Sequence, residues 1–417
     1  MLKLSKLEQS WAFYDWGNSA YSMTITSTIL PLYFKAVFIN GGGEASLSTA
    51  YWGYANSLST LILAIFAPIL GSIADYKGYK KKFFTLFFGM GVLFTALMAF
   101  IPDAYWPVLL IFYILNAIGF AGSLIFYDAF LIDITSEERM DRVSSAGYAL
   151  GYIGSTIPFI FCMAIVILAQ FDIIPLSVGN ASRLSFILTA IWWGAFTIPL
   201  LRHVKQIHGI EVEPEPIRKS FRRLVNTVQN IHHHKALFLF LLAYFFYIDG
   251  VDTIIKMATS YGADLGISST SLLVILLATQ FIAFPFALIY GWLAEKFPGK
   301  TMLYVGIGIY TFICIYAYFL NSTLDFWILA LLVGTSQGGI QALSRSYFGK
   351  LVPKEKANEF FGFYNIFGKF AAIMGPFLVA IVTQLTGKTN NGVFSIIILF
   401  IIGGIVLFKV PQPILNE

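Results

Sequence analysis

Several ionisable side chains stand deep inside apolar stretches, among them Asp15, Asp128, Asp249, Asp252, Lys256, Arg345 and Lys369. A charge at the centre of a hydrocarbon layer costs about 2.5–3.5 kcal/mol on insertion scales, so each must face a cavity, a partner or a task. The chemistry open to such a set is reversible proton binding, ion pairing between helices and recognition of a polar solute. Asp252 and Lys256 are one helical turn apart, and Asp249 shares a face with Lys256 two turns away. That spacing fits an intrahelical pair that eases insertion, and equally a proton-coupling site made of Asp249, Asp252 and Lys256. Tyr14, Asp15 and Asn18 form one polar face, Gln337 and Gln341 a second, Asn365 and Lys369 a third. An acid from the first half facing bases from the second suits a zwitterion, its amine toward Asp15 and its carboxylate toward Lys369 or Arg345. No metal or cofactor is expected. Cys162 and Cys314 lie far apart in apolar stretches as inert core residues, and His232-His233-His234 has no Cys or carboxylate at ligand spacing. No G-x-x-x-x-G-K-[ST] occurs, so ATP is not the direct drive.

The elements that position these residues must be membrane helices. Of 417 residues, 58% are hydrophobic and only 12% charged, with mean hydropathy +0.75, whereas soluble domains carry about a quarter charged residues. A disordered chain, a disulfide-stapled secreted domain and a nucleic-acid binder are excluded, the last because 27 Lys and Arg are offset by 22 Asp and Glu. Crossing a bilayer core about 30 Å thick takes roughly 20 apolar residues as a helix. Punctuation by polar, charged and Gly/Pro residues gives twelve spans, near 11–38, 49–75, 82–101, 106–133, 143–170, 183–201, 236–258, 268–296, 301–320, 324–349, 358–386 and 392–409. The first is too long for a secretory leader and is expected to stay as a helix.

Lysine and arginine set the orientation. Lys3, Lys6, Lys77, Lys80, Lys81, Lys82, Arg139, Arg142, Lys296, Lys300, Lys350, Lys354, Lys356 and Lys409 fall on one side, together with the basic run of residues 202–235. Lys35, Arg183 and Lys388 fall on the other. Both termini are therefore expected in the cytoplasm, in a bacterial cytoplasmic membrane. Asn180-Ala181-Ser182 and Asn321-Ser322-Thr323 match the glycosylation pattern and read as chance.

One long inner loop divides the chain into residues 1–201, a linker 202–235 and residues 236–417. Within the linker, Ile217–Ile231 reads as an amphipathic helix, basic on one face, suited to anionic lipid headgroups. The flanking segments repeat each other. Gly71-Ser72-Ile73-Ala74-Asp75-Tyr76-Lys77-Gly78-Tyr79-Lys80 returns, weakened, as Gly291-Trp292-Leu293-Ala294-Glu295-Lys296-Phe297-Pro298-Gly299-Lys300. Gly151 and Glu138 correspond to Gly368 and Glu355, and Phe13-Tyr14 with Gly17 to Phe246-Tyr247 with Gly250. Gly71, Asp75, Gly78 and Lys80 carry a mechanical reading. Gly71 lets a helix approach, and Asp75 sits at a neighbouring helix N-terminus or pairs with a base, latching the halves in one state.

Twelve spans in two halves, with a charged loop of the form G-x-x-x-D-x-x-G-x-K and its weaker copy, resemble the major facilitator superfamily. Trp11-Ala12-Phe13-Tyr14-Asp15-Trp16-Gly17-Asn18-Ser19-Ala20, Tyr247-Ile248-Asp249-Gly250-Val251-Asp252-Thr253, Gly338-Gly339-Ile340-Gln341-Ala342-Leu343-Ser344-Arg345-Ser346-Tyr347-Phe348 and Glu359-Phe360-Phe361-Gly362-Phe363-Tyr364 are more specific. They resemble the branch that includes the fungal autophagy-related vacuolar amino-acid effluxer. The resemblance implies an all-α membrane protein of two pseudo-symmetric six-helix bundles, acting as a monomer. The expected function is secondary transport of an amphipathic or zwitterionic solute, of the amino-acid or small-peptide class, by proton-coupled alternating access. Asp128 and Arg345 occupy corresponding repeat positions, 217 residues apart, on spans that line the cavity in that fold. They are predicted to pair as a cytoplasmic gate, with solute binding and a purely structural role as the competing readings. The sequence departs from the superfamily at Tyr76, where the loop usually has Arg, and lacks the Gly-Pro dipeptide typical of antiporters in the fifth span, so the direction of transport stays open. A membrane-embedded enzyme acting on a lipid, and a sensor or channel, are the alternatives. The enzyme is disfavoured because Asp249 and Asp252 are too few and too central to hold a metal-bound phosphate.

Overall fold

Apolar runs set where the helices lie, and side-chain caps fix the start of several of them. In the computed structural model, which describes residues 3–264, 266–320 and 322–412, the twelve spans are α1 Lys6–Asn40, α2 Ala45–Ala74, α3 Tyr79–Leu97, α4 Trp106–Ile134, α5 Met140–Gln170 and α6 Val178–His203. They continue as α7 Lys235–Asp264, α8 Ser269–Ala294, α9 Gly299–Tyr318, α10 Thr323–Leu351, α11 Ala357–Thr386 and α12 Thr389–Phe408. Ser5 and Glu8 form a capping box at the start of α1, and Ser322 with Asp325 does the same for α10. Ser177 and Ser268 cap α6 and α8. A helix satisfies its own backbone polar groups, which lipid cannot do, and no strand occurs among the described residues.

The first span is unusual. Between Tyr21 and Ile29 it widens to i→i+5 turns, so that the Leu30 N–H bonds the Ile25 carbonyl. Prolines at 68, 158, 199, 285 and 376 lie inside other spans, where each removes a backbone donor.

Packing repeats between the halves. In the first, α1 lies against α5 and α6, and α4 against α2 and α3; in the second, α7 lies against α11 and α12, and α10 against α8 and α9. The halves meet through α2 on α11 and α5 on α8. Two repeat-related glycines make those approaches possible. A Cβ on Gly71 would stand 2.3 Å from the Asn358 carbonyl oxygen, and one on Gly291 2.7 Å from the Ser145 Cβ. Leu86, Phe161, Ile191 and Phe377 are exposed, as lipid-facing residues must be.

The linker is strapped to the first half rather than loose. Ile210 exchanges backbone hydrogen bonds with the 75–77 turn, and Gln206 accepts from the backbone N–H groups of Gly78 and Lys80. Asp133 accepts from the backbone of Ile207 and His208. A helix, Pro216–Gln229, lies along the end of α2. The His232 side chain and Asn321 lie outside the described residues; His234 packs edge-on to Phe360, 5.0 Å away.

Candidate solute chamber and gate

Three helices of the first half, α1, α4 and α5, converge on Arg345 of α10 in the second. Its guanidinium donates to Asp128 Oδ1 at 3.2 Å and to Asp15 Oδ2 at 3.3 Å, and also to the Ser144 hydroxyl and carbonyl at 2.9 and 3.0 Å. Trp11, Tyr127 and Tyr148 face its cation, with ring centres 4.7, 5.4 and 4.5 Å away. The Tyr127 hydroxyl donates to Asp15 at 2.8 Å, and the Asn365 amide to Asp128 at 3.3 Å. Asp15, Asp128 and Arg345 are 8, 7 and 2% exposed. One positive charge therefore answers two negative ones in a buried place, and all of its donors are engaged between the halves. Asp128 and Arg345 do meet, but the pair is a trio: Asp15, read from sequence as a solute ligand, also turns to Arg345. Asp15 and Gly147 explain why α1 and α5 lie so close, since a Cβ on Gly147 would stand 2.5 Å from Asp15 Oδ2.

The charges of α7 and α11 behave differently. Asp252 and Lys369 are half-buried and Lys256 is exposed, and among the described residues no hydrogen bond or ion pair within 4 Å holds any of them. They are within electrostatic reach of one another, as are Tyr148, Tyr152 and Tyr310 of Asp252. Asp252 and Lys256 thus share a face without closing the intrahelical pair. Asp249, one turn earlier on α7, is held instead. It is fully buried, accepting from the Gly375 N–H at 2.9 Å and the Thr253 hydroxyl at 3.4 Å, with Oδ2 unpartnered. It tethers α7 to α11 beside Pro376.

The remaining sequence-selected residues are spread out. Tyr14 bonds Ser123 at 2.5 Å, and the Asn18 amide nitrogen is buried without a partner. Gln341 is half-buried. Gln337 is 4% exposed, with Nε2 unpartnered, and lines an apolar pocket of about 70 Å³ inside the second half with Ile275, Phe326, Leu329 and Val333.

A second set joins the halves at the end of the molecule where the described chain begins and finishes. Asp75 accepts from the Asn358 backbone N–H and side-chain amide, both at 2.8 Å, and from the Glu359 N–H at 3.3 Å. Those donors are in the first turn of α11, so the carboxylate caps a helix of the other half. Burial pushes the Asp75 carboxyl up to about 7, opposed by the Asn358 hydrogen bonds. Gly78, at φ +81°, makes the turn that follows. Lys80, grouped with the latch from sequence, points elsewhere: it is buried against Asp133 at 2.7 Å and the Ala129 carbonyl at 3.2 Å, both in its own half. The neighbouring Lys81 and Lys82 leave Lys80 no distinguishing mark in sequence, and its acid is 53 residues away.

Several inter-half contacts escaped the sequence reading. Asp141 accepts from the Ser346 hydroxyl and from Lys350, each at 2.6 Å, Arg142 meets Glu295 at 3.2 Å, and Lys354 meets Glu137 at 3.0 Å. The Ser346/Lys350 spacing on the last turns of α10 was a readable signal, because i and i+4 side chains share a face.

Comparison with known proteins agrees with this geometry. The family model described as "Vacuole effluxer Atg22 like" matches residues 39–413. An uncharacterized MFS-type transporter of Bacillus subtilis, YxiO, is 61% identical over 99% of this chain and 96% of its own. Autophagy-related protein 22 of Saccharomyces cerevisiae is 24% identical over 93% of this chain and 80% of its own. Among solved structures, the proton:xylose symporter XylE superposes with a TM-score of 0.72 at 13% identity, covering 98% of this chain and 95% of that one. FucP in its outward conformation gives 0.68 at 14% identity, covering 98% of each. The structural likeness carries the fold, and the sequence matches carry the family. With a family model spanning most of its length and a 61% identical relative matched nearly end to end, the chain belongs to the Atg22-like vacuole effluxer family and is a transporter of the MFS type.

Proposed function

We propose that this transporter moves a small zwitterionic, amphipathic solute, of the amino-acid or small-peptide class, by proton-coupled alternating access. It works as a monomer in a bacterial cytoplasmic membrane with both termini inside. The positive-inside pattern makes the end that carries Asp75, Asp141 and Arg142 cytoplasmic, so the arrangement described above is the outward-facing one.

One observation carries the reading: Arg345 is engaged between the halves, whereas among the described residues no hydrogen bond or ion pair within 4 Å ties down Asp252, Lys256 or Lys369. The solute amine is therefore assigned to Asp252 and its carboxylate to Lys369 and Lys256, in place of Asp15 and Arg345. Asp15, Asp128 and Arg345 form the gate. Their uncompensated negative charge suits a proton, the smallest cation that neutralises it, and a proton bound there would be felt by both halves at once. Reconstituted liposomes test this with an amino acid and its methyl ester. Lys369→Ala is expected to lower uptake of the acid at least tenfold more than that of the ester, while Arg345→Ala lowers both. Equal loss for both compounds in Lys369→Ala refutes carboxylate recognition.

A further inference from the structure

The linker helix Pro216–Gln229 is held by one narrow face and bare on another. Ser220 and Ser72 exchange hydroxyl-to-carbonyl hydrogen bonds at 3.2 and 3.1 Å. Arg223 donates to the Ser72 carbonyl at 2.6 Å and lies 4.7 Å over the Tyr76 ring. Ser220 and Thr227 are buried there. At about 100° per residue, Ile217, Phe221, Leu224, Val225 and Val228 fall on one stripe roughly a quarter-turn away. That stripe is uncovered: Ile217, Phe221 and Val228 are 67, 55 and 51% exposed. Arg218 and Arg222 flank it on the side away from α2.

The place where this helix sits decides what covers it. Ser72 is in the last turn of α2. Ile65 stands seven residues earlier, hence on the same face, and is 56% exposed. The other side of α2 is the one that meets α11, through Ala67 and Gly71. The seat of the linker helix is thus the continuation of a lipid-facing surface, at the level where α2 leaves the hydrocarbon. A bare apolar stripe at that level, edged by arginines, has the build of a helix lying in the bilayer interface. Glu215 and Glu213 approach Arg218 and Lys219 at 3.2 and 2.7 Å, but among the described residues no acid pairs with Arg222.

We propose that this helix lies in the membrane interface beside α2 and binds anionic phospholipid headgroups, with Ile217, Phe221 and Val228 at the acyl boundary and Arg222 on a lipid phosphate. Through Ser72 and Arg223 the lipid contact reaches the turn that carries Asp75, so headgroup charge acts on the latch that joins the halves.

Nitroxide accessibility in nanodiscs tests the proposal without any transported solute. Cys162 and Cys314 are buried, so a label on Phe221→Cys or Asn226→Cys reports its own site. In discs of phosphatidylglycerol, the residue-221 label is expected to be open to oxygen and shielded from a nickel chelate, and the residue-226 label the reverse. In phosphatidylcholine discs, or with Arg222→Gln added, the contrast is expected to shrink at least threefold. Nickel reaching residue 221 as freely as residue 226 overturns the membrane seat and leaves the stripe to solvent or a protein partner. A contrast indifferent to headgroup charge overturns the recognition of anionic lipid.

Discussion

The two copies of the duplicated loop make the same close approach and hold it in unlike ways. Gly71 brings α2 against α11, and Gly291 brings α8 against α5. Beyond Gly71, Asp75 is 1% exposed and accepts three hydrogen bonds from the first turn of the opposite helix. Beyond Gly291, Glu295 stands at the corresponding position and meets Arg142 near the surface, their side chains 34 and 26% exposed. Duplication supplied a pair of hinges, and divergence made one a buried cap and the other a surface ion pair. The closed end is therefore expected to be held mainly by the α2–α11 joint.

Alanine substitution at the two glycines separates the joints most sharply. The added Cβ of Gly71→Ala meets a backbone carbonyl, whereas that of Gly291→Ala meets the Ser145 side chain. Both variants are expected to lose the closed form and at least 90% of transport, read as initial uptake in liposomes. Adding Ser145→Gly to Gly291→Ala should restore most of it, because the obstacle is removed. No side-chain change at Asn358 should rescue Gly71→Ala. Rescue there would show that α11 is free to shift and that the two joints are alike.

Asp75→Ala comes next in size. Losing a buried acceptor that serves three donors costs about 1–3 kcal/mol, a five- to 150-fold change in the balance between closed and open forms. Spin labels on Ile173→Cys and Leu385→Cys, two exposed positions at the far end, should show the shorter distance gaining population. An unchanged distribution would mean that the cap contributes nothing to closure.

The same carboxyl gives the joint a pH dependence whose sign can be worked out. Burial holds it at about 7 when closed, and in water it would titrate near 4. Glu359 lies beside it and Lys80 is within electrostatic reach. Between those two values the closed form binds the extra proton, so acid favours closure. Raising the pH from 5 to 7 should open the joint by up to about a hundredfold, with little further change above 7. Asp75→Asn should flatten that profile while leaving any titration at Asp15 and Asp128 in place.

Hydrophobic length made the twelve spans legible, because lipid leaves a chain little choice but helix. Their ends were less so: α1 begins at Lys6 and α7 runs to Asp264, since capping groups and surface turns extend helices past the apolar run. The wide turns of Tyr21–Ile29 left no mark in the periodicity. Among the site residues, repeat arithmetic set Asp128 and Arg345 at matching depths, and they meet. It had no means of placing Asp15, whose partner is on a non-homologous helix of the other half, nor Lys80, whose acid lies on α4. The charges of α7 were readable as residues out of place in lipid. Which of them is tied to the α11 backbone at Gly375 and which is left without a hydrogen bond depended on packing between α7 and α11 that composition does not encode.

The smallest expected effect completes the contrast between the joints. Glu295 and Arg142 are about a third and a quarter exposed and touch at 3.2 Å, the class of ion pair that contributes about 0.2–1 kcal/mol and weakens with salt. Glu295→Gln should therefore change the closed fraction no more than about fivefold, with the difference vanishing at high ionic strength as screening shortens the reach of both charges. The effect of Asp75→Ala should survive the same salt, because its hydrogen bonds are made out of water. The salt series thus tells the two joints apart even if their effects in dilute buffer happen to be similar. If Glu295→Gln were the salt-resistant one, the α5–α8 joint would be the structural one, and the unequal division of the two copies would have to be reversed.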